Sequence, residues 1–330
     1  MSYYFSPLRL IAGAIFVLAG LFVYYGFRTV FALPIVLIVA GGALVLVVLT
    51  RHRPGGGDIA LLVVALIIFS LAASGPSLTA PRETATFSAS RSQVNVNQVA
   101  LKADAGFGGV RILFSDNESL AYRVELSRST AFPFFRGSEP GFSFNNQTKG
   151  DTLLLNISST DAEIDVILGP HYTTSIDAST GTGSISLTAP RTEHIETIVL
   201  KTGTGSINAE INAQGIKVLT LNAGTGSIDL KSNYLAAAGA EAPFTASTGT
   251  GSVNIDMKIS SSTSATLTAT TNLGTVSHNL QGFTIAHSSN NRVDATTQDT
   301  VKQENSFRIR ISTGTGSIDL KAARLAQTQI

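Results

Sequence analysis

Five near copies of one nine-residue spelling constrain this chain more than any other feature. They read STGTGSISL at 179–187, KTGTGSINA at 201–209, NAGTGSIDL at 222–230, STGTGSVNI at 247–255 and STGTGSIDL at 312–320. Their first glycines, Gly181, Gly203, Gly224, Gly249 and Gly314, are separated by 22, 21, 25 and 65 residues. A period of this size marks a repeat architecture, in which each unit buries its apolar side only against its neighbours. The long step has room for two worn copies, expected at TNLGTVSHNL with Asn272 at the marker and at SSNNRVDA with Ser289 there. Upstream, ADAGFGGVRI supplies another, with Gly106 and Gly108 in the glycine positions.

Aligned on their glycines, the copies place apolar residues at alternate positions on both sides. Ile176, Ile198, Leu219, Phe244 and Ile309 share one column before the corner, and Ala178, Leu200, Leu221, Ala246 and Ile311 share the next. After it, Ile185, Ile207, Ile228, Val253 and Ile318 form a third column, and Leu187, Ala209, Leu230, Ile255 and Leu320 a fourth. A period of two is that of a strand with one buried face, so each copy reads as strand, tight corner, strand. Stacking the copies lines up like residues into one core, which predicts a β-solenoid of seven or eight coils over 100–330. The corners fall at Gly181 and Gly183, Gly203 and Gly205, Gly224 and Gly226, Gly249 and Gly251, and Gly314 and Gly316. Glycine is needed there because a sharp corner uses backbone angles that a side chain forbids, and adjacent coils leave no space for a Cβ. A phosphate-binding loop is the rival reading of GTGS, but neither G-x-x-x-x-G-K-[ST] nor a third glycine leading into a helix follows.

The N-terminal quarter is different. Residues 10–27, 31–49 and 59–73 are apolar runs without an internal charge, each near the ~20 residues of a membrane span. They predict three transmembrane helices within 1–75, followed by a linker and first strand at 76–99. Arg9, Arg51 and Arg53 then put the N-terminus in the cytoplasm and the solenoid outside, a multi-pass cell-membrane protein with an extracellular domain. The chain has no cysteine, so a disulfide framework is excluded. Asn117, Asn146 and Asn156 head Asn-x-Ser/Thr triplets. Of the 23 Lys and Arg residues 19 lie in 82–330, beside 21 of the 22 Asp and Glu, and this mixed balance argues against a nucleic-acid partner.

The T-G-T-G-S-I-x-L repeats, preceded by AEIDVILGPHYTTSIDAS at 162–179, resemble the DUF4097 family of prokaryotic β-strand-repeat domains, named as candidate adhesins. The resemblance spans about 100–320 and implies serial glycine-cornered coils. The chain departs from that pattern at Gly169 before Pro170, and in carrying threonine where many members have an acid in the corner. LIAGAIFVLAGLFVYYG at 10–26 is similar to the multi-span regions of LiaF-type envelope-stress proteins.

Few residues suggest chemistry. G-x-S-x-G is absent. His278 stands where other coils place Leu187 or Leu230, and reads as a worn coil opening to solvent. Asp229, Asp256 and Asp319 recur after corners one coil apart, a solvent-facing ladder and not a calcium roll, which needs its Asp within a nine-residue unit. Asp161, Glu163 and Asp165 alternate in one strand as polysaccharide-active solenoids mount their acids, yet read as a solvated face. The non-repetitive insertion at about 129–150 crowds Phe132, Phe134, Phe135, Phe142 and Phe144, either a lid on the raw end of the solenoid or a contact site for a partner. Together these predict a non-enzymatic, membrane-anchored surface protein that uses no metal or cofactor and binds protein or glycan partners. The alternatives are an envelope-stress accessory acting on a membrane partner, and a polysaccharide-active enzyme.

Overall fold

The computed structural model describes residues 82–129, 141–298 and 303–325. The chain divides into two compact units, 1–83 with 129–136 and 84–128 with 137–330, and the second is described below. Its strands follow the sequence alternation. The first ten are β1 (Arg82–Ser90), β2 (Gln98–Phe107), β3 (Val110–Phe114), β4 (Leu120–Ser129), β5 (Phe142–Lys149), β6 (Thr152–Ser159), β7 (Glu163–Leu168), β8 (Thr173–Thr182), β9 (Ile185–Thr204) and β10 (Ile207–Ile216). The rest are β11 (Val218–Thr225), β12 (Ile228–Ala237), β13 (Ala242–Thr250), β14 (Val253–Ile259), β15 (Thr263–Leu273), β16 (Val276–Gln281), β17 (Phe283–Ser289), β18 (Arg292–Thr297), β19 (Asn305–Thr315) and β20 (Ile318–Arg324).

These strands build two sheets joined at the glycine corners. Parallel pairing runs β6, β2, β8, β9, β11, β13, β19, β15 in one sheet. In the other it runs β7, β3, β9, β10, β12, β14, β20, β16. Long β9 bends and serves both. Eight coils result, and the columns read from the sequence are the observed register: Ile176, Ile198, Leu219, Phe244 and Ile309 are successive partners, as are Ile185, Ile207, Ile228, Val253 and Ile318. All ten are fully or almost fully buried in one core between the sheets.

The order of the coils departs from the order of the chain at both ends. Coil 98–114 lies between 152–168 and 173–189. At the other end coil 305–324 lies between 242–259 and 263–281. The copy expected at Asn272 is therefore real, with Gly274 at φ +148° in its corner. SSNNRVDA at 288–295 is not a coil: it holds the turn between β17 and β18, which pair antiparallel and extend the sheet past β15. At the opposite end β4 runs antiparallel to β7, and β5 to β6.

Why both corner glycines recur is a matter of neighbours. The first sits so that an added Cβ would meet the carbonyl oxygen of the previous coil, 2.6 Å from Gly181 O in the case of Gly203 and 2.5 Å from Gly203 O in that of Gly224. At the second glycine, as at Gly226 against Gly205 O, that overlap is worse and φ is positive. The outermost coil, 152–168, carries Thr160 and Ala162 in these places, with no coil beyond them for a side chain to strike, and it escaped the sequence pattern for that reason. Each corner is also bonded from coil to coil. The buried threonine before the first glycine donates its hydroxyl to the second glycine of the coil below: Thr180 to Gly108 O, Thr202 to Gly183 O, Thr248 to Gly226 O, Thr313 to Gly251 O and Thr271 to Gly316 O, at 2.9–3.1 Å. Ala223 occupies that column without a hydroxyl for Gly205 O. Ala223→Thr is expected to stabilise the fold by about 1 kcal/mol, and Thr202→Ala to destabilise it by a similar amount, both read as shifts of the denaturant midpoint at unchanged slope.

The described fold is all-β, which overturns the expectation of an α-helical transmembrane region and, with it, of a multi-pass membrane location. Among the described residues the helical element is one 3-10 turn, Arg91–Gln93, and no helix is long and apolar enough to cross a membrane. The physical reason lies in the strand period: apolar and polar residues alternate along most of the described strands, and no described apolar run comes near the length of a membrane span. The runs at 10–27, 31–49 and 59–73 lie outside the described residues.

Candidate binding surface

Strand geometry puts every inward column beside an outward one, and the parallel register stacks outward residues into ladders along the coil axis. On one sheet Arg111, Ser186, Asn208, Asp229, Asn254 and Asp319 form such a ladder. Asn254 Nδ2 donates to Asp229 Oδ1 at 2.7 Å. Beside it, Glu210, Lys231, Asp256 and Lys321 alternate in charge from coil to coil. Asp256 thus stands in a different column from Asp229 and Asp319, and its neighbours are lysines, so the three do not form the single ladder expected of them. A further rank follows the corners, where Ser227 and Ser206 join at 3.1 Å and Ser252 and Ser317 at 3.3 Å.

The corner itself makes a ridge. Thr182, Thr204, Thr225, Thr250 and Thr315, the residues between the two glycines, are partners in register and exposed. The ridge ends on Phe107, 64% exposed, at one side and Leu273, 69% exposed, at the other.

Two of the acids singled out in the sequence form ion pairs. Asp165 takes Arg111 at 2.6 Å and Asp161 takes Arg128 at 2.6 Å. Asp161 belongs to a corner, outside the strand β7 that holds Glu163 and Asp165, so the three acids are not one row. The partners come from β3 and β4, distant in sequence, where no local spacing reveals them. His278 is aligned with Leu320 and bonds Ser288 Oγ through Nε2 at 3.0 Å in a coil with a half-open inner face. A denser group lies where the turn after β3, the turn before β8 and the bend of β9 meet. Arg191 holds Asp116 at 2.9 Å, and His171 is 3.9 Å from Glu118. Glu193 is held above the usual carboxylate range, by burial first, with His171 and Arg191 opposing that rise.

Of the five phenylalanines expected as a lid or a contact site, Phe132, Phe134 and Phe135 lie outside the described residues. Phe142 and Phe144 sit on β5, half-buried against the core. The Phe144 ring stacks on Phe87 at 4.5 Å and tilts against Tyr122 at 5.9 Å, which joins β1, β4 and β5 across the end of the solenoid. Asn146 Nδ2 donates to the Tyr122 hydroxyl at 2.7 Å beside this trio.

No family profile matches the chain, and no curated protein matches it in sequence. Among solved structures, it is similar to a candidate cell adhesion protein from Clostridium sporogenes, with 17% identity and a TM-score of 0.46 over 73% of this chain and 100% of that one. A candidate adhesin from Bacteroides fragilis gives 11% identity and a TM-score of 0.30 over 73% of this chain and 97% of that one. A candidate lipid-binding protein from Parabacteroides distasonis gives 11% and 0.25 over 72% and 96%.

Proposed function

We propose that this chain is a non-catalytic binding protein whose polar ladders hold an extended, repeating partner such as a glycan or another envelope polymer. The observation that carries this reading is the register. Polar residues recur in line over six coils from Arg111 to Asp319, and threonine over five along the corner ridge, about 4.8 Å apart, on a surface whose backbone is fixed by its own ladder bonds. A rigid array loses little conformational entropy on binding, and many weak contacts of hydroxyl, amide and carboxylate groups add up along a polymer that would not hold a single small molecule. The pairing of Asp161 with Arg128 and of Asp165 with Arg111 favours binding over hydrolysis, because both carboxylates are already engaged by arginines and do not face one another as a free catalytic pair. The full chain is expected to bind members of a glycan array and to adhere to cells or isolated envelope polymers. A blank result on the array, on the polymers and in the adhesion assay together would overturn the reading.

A further inference from the structure

Near the end of the solenoid where β5 lies along β6, a groove of about 510 Å³ opens on the outer surface. Four adjacent strands each send one outward residue into a single line there. Ser143 of β5 is opposite Ser158 of β6, Ser158 is level with Asp104 of β2, and Asp104 with Ser179 of β8. Two hydrogen bonds fix the line: the Ser143 and Ser158 hydroxyls are bonded to each other at 2.8 Å, and Ser179 Oγ donates to Asp104 Oδ1 at 2.6 Å. All four line the groove, as does half-buried Phe142.

Two glycines stand at the edges of the groove. A Cβ on Gly106 would lie 2.7 Å from Thr160 O, and one on Gly141 would lie 2.5 Å from the Asp161 carboxylate, itself held by Arg128. Both positions line the groove and both are confined to bare backbone. The volume falls within the ~300–1,000 Å³ of small-molecule sites.

Its chemistry selects among ligands. Asp104 is the carboxylate lining it, with Oδ2 3.6 Å from Lys102 Nζ, and no cation is among the described lining residues, so phosphate and sulfate esters gain no partner there. Three serine hydroxyls and a carboxylate would be stripped of water by an aliphatic guest that offers them no hydrogen bond, which disfavours lipid chains. A neutral, hydroxyl-rich ring with one apolar face fits both halves. Its hydroxyls donate to Asp104 and exchange hydrogen bonds with the serines, while its C–H face lies on Phe142. We propose that this groove is a sugar-ring subsite, where one unit of an extended glycan is anchored at the end of the ladders. The inference rests on the proposed glycan-binding function and adds a fixed point to it.

The test uses the full chain and ligand-observed NMR titrations with the methyl glycosides of glucose, galactose, mannose and N-acetylglucosamine, and with their β1,4-linked tetramers where these exist. At least one is expected to bind saturably. Asp104→Asn, which keeps the shape and removes the charge, and Ser158→Arg, which fills the groove from an exposed position, are each expected to weaken that binding at least tenfold. Thr284→Ala, exposed on β17 at the other end of the solenoid and outside the ladders, is expected to leave it unchanged. Melting temperatures of the three variants within about 2 °C of the parent would attribute the loss to the groove. Should the sugar bind equally well to Asp104→Asn and Ser158→Arg, the groove is not the subsite and the proposal falls while glycan binding stands. Array or polymer binding with no saturable binding of these sugars overturns the subsite alone. Loss of all three removes both readings.

Discussion

Gly226→Ala is expected to destabilise the solenoid by on the order of 4 kcal/mol, enough to leave much of the protein unfolded or insoluble at ordinary growth temperature. Two effects combine. The backbone at Gly226 has φ +138°, where an L side chain is strained, and the new methyl group would overlap Gly205 O of the coil below. That carbonyl belongs to the same tightly bonded corner, since Gly205 N–H already donates to Thr225 O at 2.9 Å, so it has no easy way to retreat. Gly239→Ala separates the two effects. Gly239 also has positive φ, +91°, but nothing lies within 4 Å of a Cβ built there, so only the backbone strain of about 1 kcal/mol is expected. Denaturant unfolding of the two variants checks the difference. Equal costs would mean that coil-to-coil crowding is not what keeps the glycines.

The second large effect concerns volume. Phe244 and Phe307 are fully buried and meet edge to face at 6.4 Å. In the register Phe307 has Ala242 on one side and Ala265 on the other, so one large ring fills what three positions share. Phe307→Ala leaves three alanines in a row with no side chain able to reach the space, and a loss of about 3–5 kcal/mol is expected. Because each coil is held mainly by its neighbours, the loss is expected to be uneven: amide hydrogen exchange over 263–298, attached through β19, speeds up more than exchange over 195–237. Uniform acceleration would argue for a solenoid that opens only as a whole.

The parts of this fold that a reader of the sequence can see are those that repeat. Ile198, Leu219 and Phe244 advertise their column because the glycines give a zero from which to count, and alternation then fixes which face is buried. Coil 152–168 stays hidden because no further coil stacks on its corner, and Thr160 and Ala162 stand where the other coils have glycine. The exchange of order at the two ends is equally invisible, since the inward residues of one coil fit the next almost as well as another's. The candidate site is still less legible. Ser143, Ser158, Asp104 and Ser179 come together only through one antiparallel strand and one displaced coil, and nothing in their spacing announces it. Phe142 and Phe144 were conspicuous, but composition alone does not say that Phe144 turns onto Phe87.

The displaced coils bear on how the protein is made. A ribosome delivers residues 263–281 before 305–324, although the later segment lies between the earlier one and the body of the solenoid. The C-terminal end can close only once the last strand has left the exit tunnel. Until then a nascent chain presents the open edges of β13 and β14, so this end closes later than the coils before it and is the part most dependent on protection from self-association during synthesis.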